Sequence, residues 1–400
     1  MSEEAGERPF HVFIVVGEES GDQLGARLMR ALRKRCSSVT FSGTAGPRMQ
    51  AKGMESLFPL ADISVMGLTA VLGRLPTIIR RVHQTVDAAV AADPDLMVII
   101  DSPDFTHAVA KRVRKAAPHI PIVDYVSPSV WAWRPGRAKR MAAYVDHLLG
   151  ILPFEPQVHK ELGGPPCSYV GHPLIERLDE LRPAPEERGK PGTVPPVLLV
   201  LPGSRTSEVG RLLEPFRETV ERLYREKPDL EVLLPTVPHL ADHVRAEVVR
   251  WKVPVTVTTG EAEKFTAFRR AHAALAASGT VTLELAIAGV PIAVCYKLDW
   301  FYRRLKQIHR FFPIVKTASM VLPNIILGRN VVPEFLDDEV DAQRLAPLLA
   351  DLLADTPARA EQVGAFEEIE AKMVLDNGES PSERAARIVC DVMKSQRGAD

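Results

Sequence analysis

Short apolar runs alternate along the chain with longer stretches whose apolar residues recur every three or four positions. In the first half the runs are FIVV at 13–16, VTFSG at 39–43, LMVII at 96–100, IPIVDYV at 120–126 and HLLGI at 147–151, separated by amphipathic segments such as 22–35 and 105–117. The short runs predict strands and the longer segments predict helices, and their alternation predicts a parallel sheet in an α/β fold. Residues 182–196, RPAPEERGKPGTVPP, hold five prolines in fifteen positions without apolar periodicity, the composition of a connector. The same grammar then restarts with VLLVLPG at 197–203, EVLLP at 231–235, VPVTVT at 253–258, AALAA at 273–277 and PIAVCY at 291–296. Beyond about Asp341 the pattern predicts only amphipathic helix.

Two Rossmann-like, doubly wound domains follow: residues 1–181, a Pro-rich linker over 182–196, residues 197–340, and a helical segment over 341–400 expected to pack across domains. Open α/β folds bind ligands at the carboxyl ends of their strands. Two such domains are therefore expected to face one another across a cleft, with the chemistry on strand-to-loop junctions.

Composition narrows the class. With 46% hydrophobic and 25% charged residues among 400, disorder, collagen and coiled coil are excluded. Fifty Lys and Arg against 51 Asp and Glu leave a formal net charge of −1, so no whole-molecule attraction to nucleic acid is expected. Cys36, Cys167, Cys295 and Cys390 are dispersed and form no C-x-x-C pair, which suits a reducing cytoplasm rather than a zinc ribbon or disulfide framework. The apolar run after the acidic N-terminus is too short for a signal-peptide core, and no stretch offers 18 uninterrupted apolar residues.

Five segments carry candidate chemistry. GEESGDQLG at 17–25 follows the first strand; its glycines are spaced by four, which breaks the dinucleotide pattern, and Ser20 beside Gly21 breaks the G-x-S-x-G elbow. It reads either as a small-residue turn that admits a ligand, with Glu18 facing the cleft, or as a tight turn whose Ser20 and Asp22 cap the helix. IIDSPDF puts Asp101 at the end of a strand, where a carboxylate is costly unless paired or functional, and a general base fits there. Asp101 and Asp104 lack the neighbours of a metal set, so no catalytic metal is expected. YVSPSVWAWRPGR at 125–137 gathers Ser127, Trp131, Trp133 and Arg134; the tryptophans suit a buried anchor or a sugar or acyl contact, and Arg134 a reach into the cleft.

LPGSRTSEV at 201–209 lets Gly203 and Ser204 turn backbone N–H groups toward an anion while Arg205 adds a guanidinium, a diphosphate pattern whose alternative is a surface pair of Arg205 with Glu208. ASGTVTLELAIAGVP at 277–291 sets Ser278, Gly279 and Thr280 at a helix start, with Glu284 one turn in, a pairing suited to a nucleotide's phosphates and ribose. Outside these five, DWFYRRLKQIHRFFPIVK at 299–316 mixes Trp300 and Phe301 with Arg303, Arg304 and Arg310, which suits an anionic membrane surface or an amphipathic core helix; residues 66–82 have a similar character.

Taken in order, GEESGD, AGPRM (45–49), VLGRLP (71–76), IIDSPDF, YVSPSVWAWR, LPFE (152–155), VGHP (170–173), LPGSR, ASGT and LPN (322–324) resemble the lipid-A-disaccharide synthase family, inverting glycosyltransferases of the B-type two-Rossmann fold. The resemblance implies transfer of 2,3-diacylglucosamine from UDP to the 6-hydroxyl of 2,3-diacylglucosamine 1-phosphate (lipid X), forming a β-1,6 disaccharide 1-phosphate and UDP with no cofactor. It implies that the second domain holds the UDP-sugar, at Gly203, Ser204, Arg205, Ser278, Gly279, Thr280, Glu284 and Asn324. The first would hold the acceptor, with Asp101 the favoured base, Glu18 a further essential acid, and Ser20, Gly21, Asp22, Ser127, Trp133, Arg134 and His172 around it. A peripheral place on the anionic cytoplasmic leaflet of the inner membrane is implied, and a homodimer is left open. Ala70, Thr106, Val321 and Asp337 stand where the family commonly has Glu, Asn, Ser and Gln. The same scaffold leaves open a transferase with another lipid-linked acceptor, a UDP-N-acetylglucosamine 2-epimerase, and a homologue that binds without turnover.

Overall fold

The computed structural model describes residues 8–36, 38–64, 68–192, 195–297, 319–375 and 377–397, and each half of the chain builds a six-stranded, all-parallel sheet. The first consists of β1 (Phe10–Val16), β2 (Val39–Gly43), β3 (Leu96–Ile100), β4 (Ile122–Tyr125), β5 (His147–Gly150) and β6 (Cys167–Tyr169), in the order β2-β1-β3-β4-β5-β6. Its helices are α1 (Glu19–Arg35), α2 (Pro47–Gln50), α3 (Leu68–Ala92), α4 (Pro103–Ala116), α5 (Gly136–Met141) and α6 (Glu155–Glu161). Successive residues of β1 divide between two cores: Val12, Ile14 and Val16 pack toward α1, Phe13 and Val15 toward α3 and α4. Both faces are covered, which is why the strand is apolar at nearly every position instead of alternating.

The second sheet follows α7 (Leu178–Leu181) and comprises β7 (Val197–Leu201), β8 (Glu231–Thr236), β9 (Val255–Thr259), β10 (Ala273–Ala277), β11 (Ile292–Tyr296) and β12 (Glu334–Leu336), in the order β12-β11-β10-β7-β8-β9. Its helices are α8 (Thr206–Glu226), α9 (Ala241–Val248), α10 (Glu261–Arg270), α11 (Val281–Ile287) and α12 (Leu322–Leu327). The α/β class and paired parallel sheets agree with the strand pattern of the sequence. Only β6 and β12 have no counterpart there, because three residues are too few to carry a period.

The chain forms two compact units, Met1–Ile175 with Val374–Asp400, and Glu176–Met373. The Pro-rich segment folds onto the second unit: Arg188 donates to the carbonyls of Phe268, Ala288 and Gly289, each at 2.8 Å, and of Arg269 at 3.2 Å. These carbonyls close α10 and α11, where unsatisfied acceptors and the helix dipole favour a cation. Burial still pushes the guanidinium down to about 10.

The C-terminal helices are shared between the units. The helix α13 (Ala342–Leu353) buries Leu345, Leu349, Leu352 and Leu353 against Val209, Phe216 and Val220 of α8 in the core of the second unit, where α14 (Pro357–Met373) also lies. The last helix, α15 (Pro381–Arg397), instead buries Ala385, Val389 and Met393 against Leu28, Met29 and Leu32 of α1. At that joint the Cys36 and Cys390 sulfurs lie 2.8 Å apart.

Candidate active site

In each sheet the strand order reverses once, between β1 and β3 in the first and between β7 and β10 in the second. At such a switch point adjacent loops diverge to opposite faces and leave a crevice at the carboxyl edge. The loops leaving these four strands are GEESGD, IIDSPDF, LPGSR and ASGT, the segments singled out in the sequence.

In the first unit the loops after β1 and β3 are tied together through Asp101. Its Oδ2 accepts from the Ser20 hydroxyl at 2.6 Å, its Oδ1 from the Ser102 N–H at 2.8 Å, and its carbonyl from the Thr106 hydroxyl at 2.7 Å. Asp101 and Ser102 both take the left-handed conformation, φ +54° and +43°, and Val126 at the end of β4 has φ +85°. Non-glycine residues there cost about 1–3 kcal/mol each and persist only where the surroundings over-determine them. Thr106 is one of the groups that hold this turn. Glu18 occupies the N-cap position of α1, half-buried in the loop that carries Ser20.

Gly17 lies where the two loops touch. A Cβ on it would sit 2.4 Å from the Ser102 Oγ, and one on Gly21 would sit 3.0 Å from the Ile100 carbonyl oxygen. Gly17→Ala is expected to displace the Asp101 turn and destabilise the fold by about 1–3 kcal/mol, read as a lowered urea midpoint with impaired turnover. An unchanged midpoint and rate would remove the steric account of this glycine.

Two expected acceptor residues are turned inward. Asp22 is fully buried, and its carboxylate accepts from the N–H groups of Gly46 (2.9 Å), Arg48 (2.8 Å) and Met49 (3.0 Å). It brackets α2 and the AGPRM segment, not the start of its own helix. Ser127, 7% exposed, shares its hydroxyl with His159 Nε2 at 2.8 Å and the Pro128 carbonyl at 2.9 Å. His172 accepts at Nδ1 from the Leu174 N–H at 3.2 Å, and burial pushes its imidazole down to about 4, which keeps it neutral. Trp131 packs edge-on against Phe154, whereas Trp133 is exposed with the Arg134 guanidinium 4.8 Å from its ring centre. Of the two tryptophans, only Trp131 serves as an anchor under the loop.

Behind this loop Glu155 is 1% exposed and accepts from the Leu152 N–H at 2.9 Å. Burial raises its carboxyl from the ordinary 4.5 to about 7. A raised carboxyl is held protonated more tightly in the fold than in the unfolded chain, so its contribution is complete below about pH 4.5 and is lost as pH rises through about 7. The loss is on the order of 3 kcal/mol. Glu155→Gln should therefore flatten the fall in urea midpoint between about pH 5 and about pH 8; an unchanged slope would contradict it.

In the second unit Gly203, at φ +117°, turns the loop so that the N–H groups of Ser204 and Arg205 converge on one point. Glu208 Oε2 occupies that point at 3.1 and 3.2 Å, while its Oε1 accepts from the Arg205 guanidinium at 2.7 Å. The surface pair weighed from the sequence thus forms, and it forms by placing a carboxylate in an anion cradle. The Ser278 hydroxyl donates to the Met320 carbonyl at 3.0 Å, and Gly279 and Thr280 are exposed at the start of α11. Glu284 pairs with Lys264 at 2.9 Å, a partner that no local pattern announced.

Asn324 is turned inward. It is 2% exposed; its Oδ1 accepts from the N–H groups of Val331 (2.9 Å) and Val332 (2.8 Å), and its Nδ2 donates to the Val332 carbonyl and to Glu334, both at 2.9 Å. Glu334 in turn accepts from the Met320 N–H at 2.9 Å and from the Ser319 hydroxyl. The pair brackets residues 319–334 beside a cavity of about 510 Å³ lined by Ser278, Tyr296, Met320 and Phe335. Trp300, Phe301, Arg303, Arg304 and Arg310 lie outside the described residues. No helix among the described residues is long and apolar enough to cross a membrane.

Two Rossmann-like units, each built on an all-parallel sheet, whose switch-point loops carry a carboxylate in one and a Gly-Ser-Arg cradle in the other, have the architecture of B-type glycosyltransferases and their epimerase relatives. Solved structures share that architecture: a UDP-GlcNAc 2-epimerase from Neisseria meningitidis (TM-score 0.59, 12% identity, 96% of this chain and 100% of that one) and the calicheamicin glycosyltransferase (TM-score 0.57, 17% identity, 97% and 99%). The family model described as lipid-A-disaccharide synthetase matches residues 12–388. Relatives named lipid-A-disaccharide synthase are 49% identical in Nitrobacter hamburgensis (97% of both chains) and 50% identical in Rhodopseudomonas palustris strain HaA2 (96% of both). The chain belongs to the lipid-A-disaccharide synthase family of glycosyltransferases.

Proposed function

We propose that the protein transfers 2,3-diacylglucosamine from UDP-2,3-diacylglucosamine to the 6-hydroxyl of 2,3-diacylglucosamine 1-phosphate, forming the β-1,6 disaccharide 1-phosphate and UDP. The observation that carries this is the Asp101 carboxylate, placed at the switch point of the first sheet and held there by Ser20 and a strained turn. Asp101 takes the proton of the acceptor hydroxyl as its oxygen bonds to the donor's anomeric carbon. The bond to the diphosphate oxygen breaks on the opposite side, which inverts the anomeric centre.

The diphosphate leaves with its negative charge on the Ser204 and Arg205 N–H groups and the Arg205 guanidinium, displacing the Glu208 carboxylate from that cradle. Ser278, Gly279 and Thr280 add donors at the start of α11, and Glu284 meets the ribose. Glu18 assists on the acceptor side, with Gly21, Trp133, Arg134 and His172 shaping its surroundings. Asn324 contributes by bracketing the donor loop.

The protein works peripherally on the anionic cytoplasmic leaflet of the inner membrane, where acylated substrates reside. Support comes from α3, which exposes Leu75 (43%) and Ile79 (48%) beside Arg74 and Arg80. An acceptor exchange tests the reading: UDP release should require the diacylated acceptor and be absent with glucosamine 1-phosphate. Turnover of UDP-N-acetylglucosamine without any acceptor would favour a 2-epimerase instead.

A further inference from the structure

A histidine–carboxylate pair is buried under the Asp101 turn, and the proposed chemistry does not use it. Asp124 lies in β4 opposite Ile99 of β3 and is 1% exposed, with its side chain on the sheet face that α4 covers. Its Oδ2 is 3.1 Å from Nε2 of His107, itself 2% exposed, and the other ring nitrogen of His107 meets the Tyr144 hydroxyl at 2.9 Å. Burial pushes the Asp124 carboxyl above its ordinary range, the neighbouring His107 and, more weakly, Arg137 pull it down, and Asp101 adds to the rise. The Lys111 ammonium lies 5.1 Å from the centre of the Tyr144 ring.

Stability does not account for such a pair. Burying polar groups of this kind at best roughly breaks even against well-packed apolar residues, because their desolvation offsets the attraction. What distinguishes this one is what it holds. His107 follows Thr106, whose hydroxyl donates to the Asp101 carbonyl at 2.7 Å and lies 3.1 Å from that of Ser102. The N–H groups of Phe105 and Thr106 also bond the Ser102 carbonyl. The first turn of α4 is therefore clamped on one side to the left-handed Asp101–Ser102 turn and on the other, through His107, to β4.

We propose that His107, held by Asp124 and Tyr144, is a positioning residue for Asp101: it fixes the first turn of α4, and through it the aim of the Asp101 carboxylate at the acceptor hydroxyl. The proposal rests on Asp101 being the base. A misplacement of about 1 Å at a reacting group costs on the order of 10²-fold in rate.

The test is a double-mutant cycle in the full-length protein with both acylated substrates, measuring kcat, acceptor KM and UDP Kd, with circular dichroism to confirm folding. His107→Gln should lower kcat about 10- to 100-fold while UDP Kd stays within about 2-fold. Added to Asp101→Asn, the same change should cost almost nothing more, because there is no longer a base to aim. An unchanged kcat in His107→Gln, an equal loss in both backgrounds, or a parallel loss of UDP affinity would overturn the proposal. Near-normal turnover in Asp101→Asn alone would instead sink the base assignment on which it rests. Should His107→Gln fail to fold, Tyr144→Phe carries the test: it removes one hydroxyl and should lower kcat about 3-fold or more, again only when Asp101 is present. Wild-type kcat in Tyr144→Phe would then count against the proposal.

Discussion

Asp101→Asn is expected to lower kcat by about 10²- to 10⁴-fold while UDP affinity stays unchanged, the range in which general bases contribute. The substitution keeps the size of the side chain and can keep the Ser20 hydrogen bond, so the left-handed turn survives; what it removes is the ability to accept a proton. The strain in that turn makes the prediction specific. Two consecutive non-glycine residues at positive φ, followed across the sheet by Val126 at φ +85°, are an unusual concentration at one sheet edge. A purely structural Asp101, holding Ser20 and Ser102 in place, would lose at most a few-fold in rate on amidation.

Arg205→Ala is expected to weaken UDP binding about 10- to 100-fold, the value of a charge-assisted hydrogen bond to a phosphate. Without UDP, the same variant should unfold within about 1 kcal/mol of the parent, because an exposed i,i+3 pair contributes that little. The pair is of that kind: the Arg205 side chain is 68% exposed and its partner Glu208 is three residues away. The asymmetry separates the two roles the residue could have. A guanidinium that only closes the surface pair would leave UDP affinity untouched, whereas one that trades the Glu208 carboxylate for a diphosphate shows its effect only with ligand present.

Where the sequence was legible, it was so because the information is local. Ten of the twelve strands are apolar runs bounded by turn residues, and the four switch-point loops were found as motifs because each follows such a run directly. The residues that changed meaning did so through partners distant along the chain. Asp22 reads as a cap for its own helix, yet its three donors lie 24 to 27 residues on. Asn324, which the resemblance places on the donor side, spends both ends of its amide on residues 331–334. Lys264, Glu334 and the His107–Asp124 pair carry no period or spacing that would announce them; only the packing of strands and helices within each unit gives them their partners. The last helix likewise leaves the second unit for α1, a choice that its amphipathic pattern permits but does not specify.

The central claim is tested most directly by mass spectrometry of the products formed by the purified protein from UDP-2,3-diacylglucosamine and 2,3-diacylglucosamine 1-phosphate in detergent. The account predicts a tetra-acylated disaccharide monophosphate, formed together with UDP only when both substrates are present. Binding of UDP without that product, or release of UDP at the same rate with and without the acceptor, would contradict it.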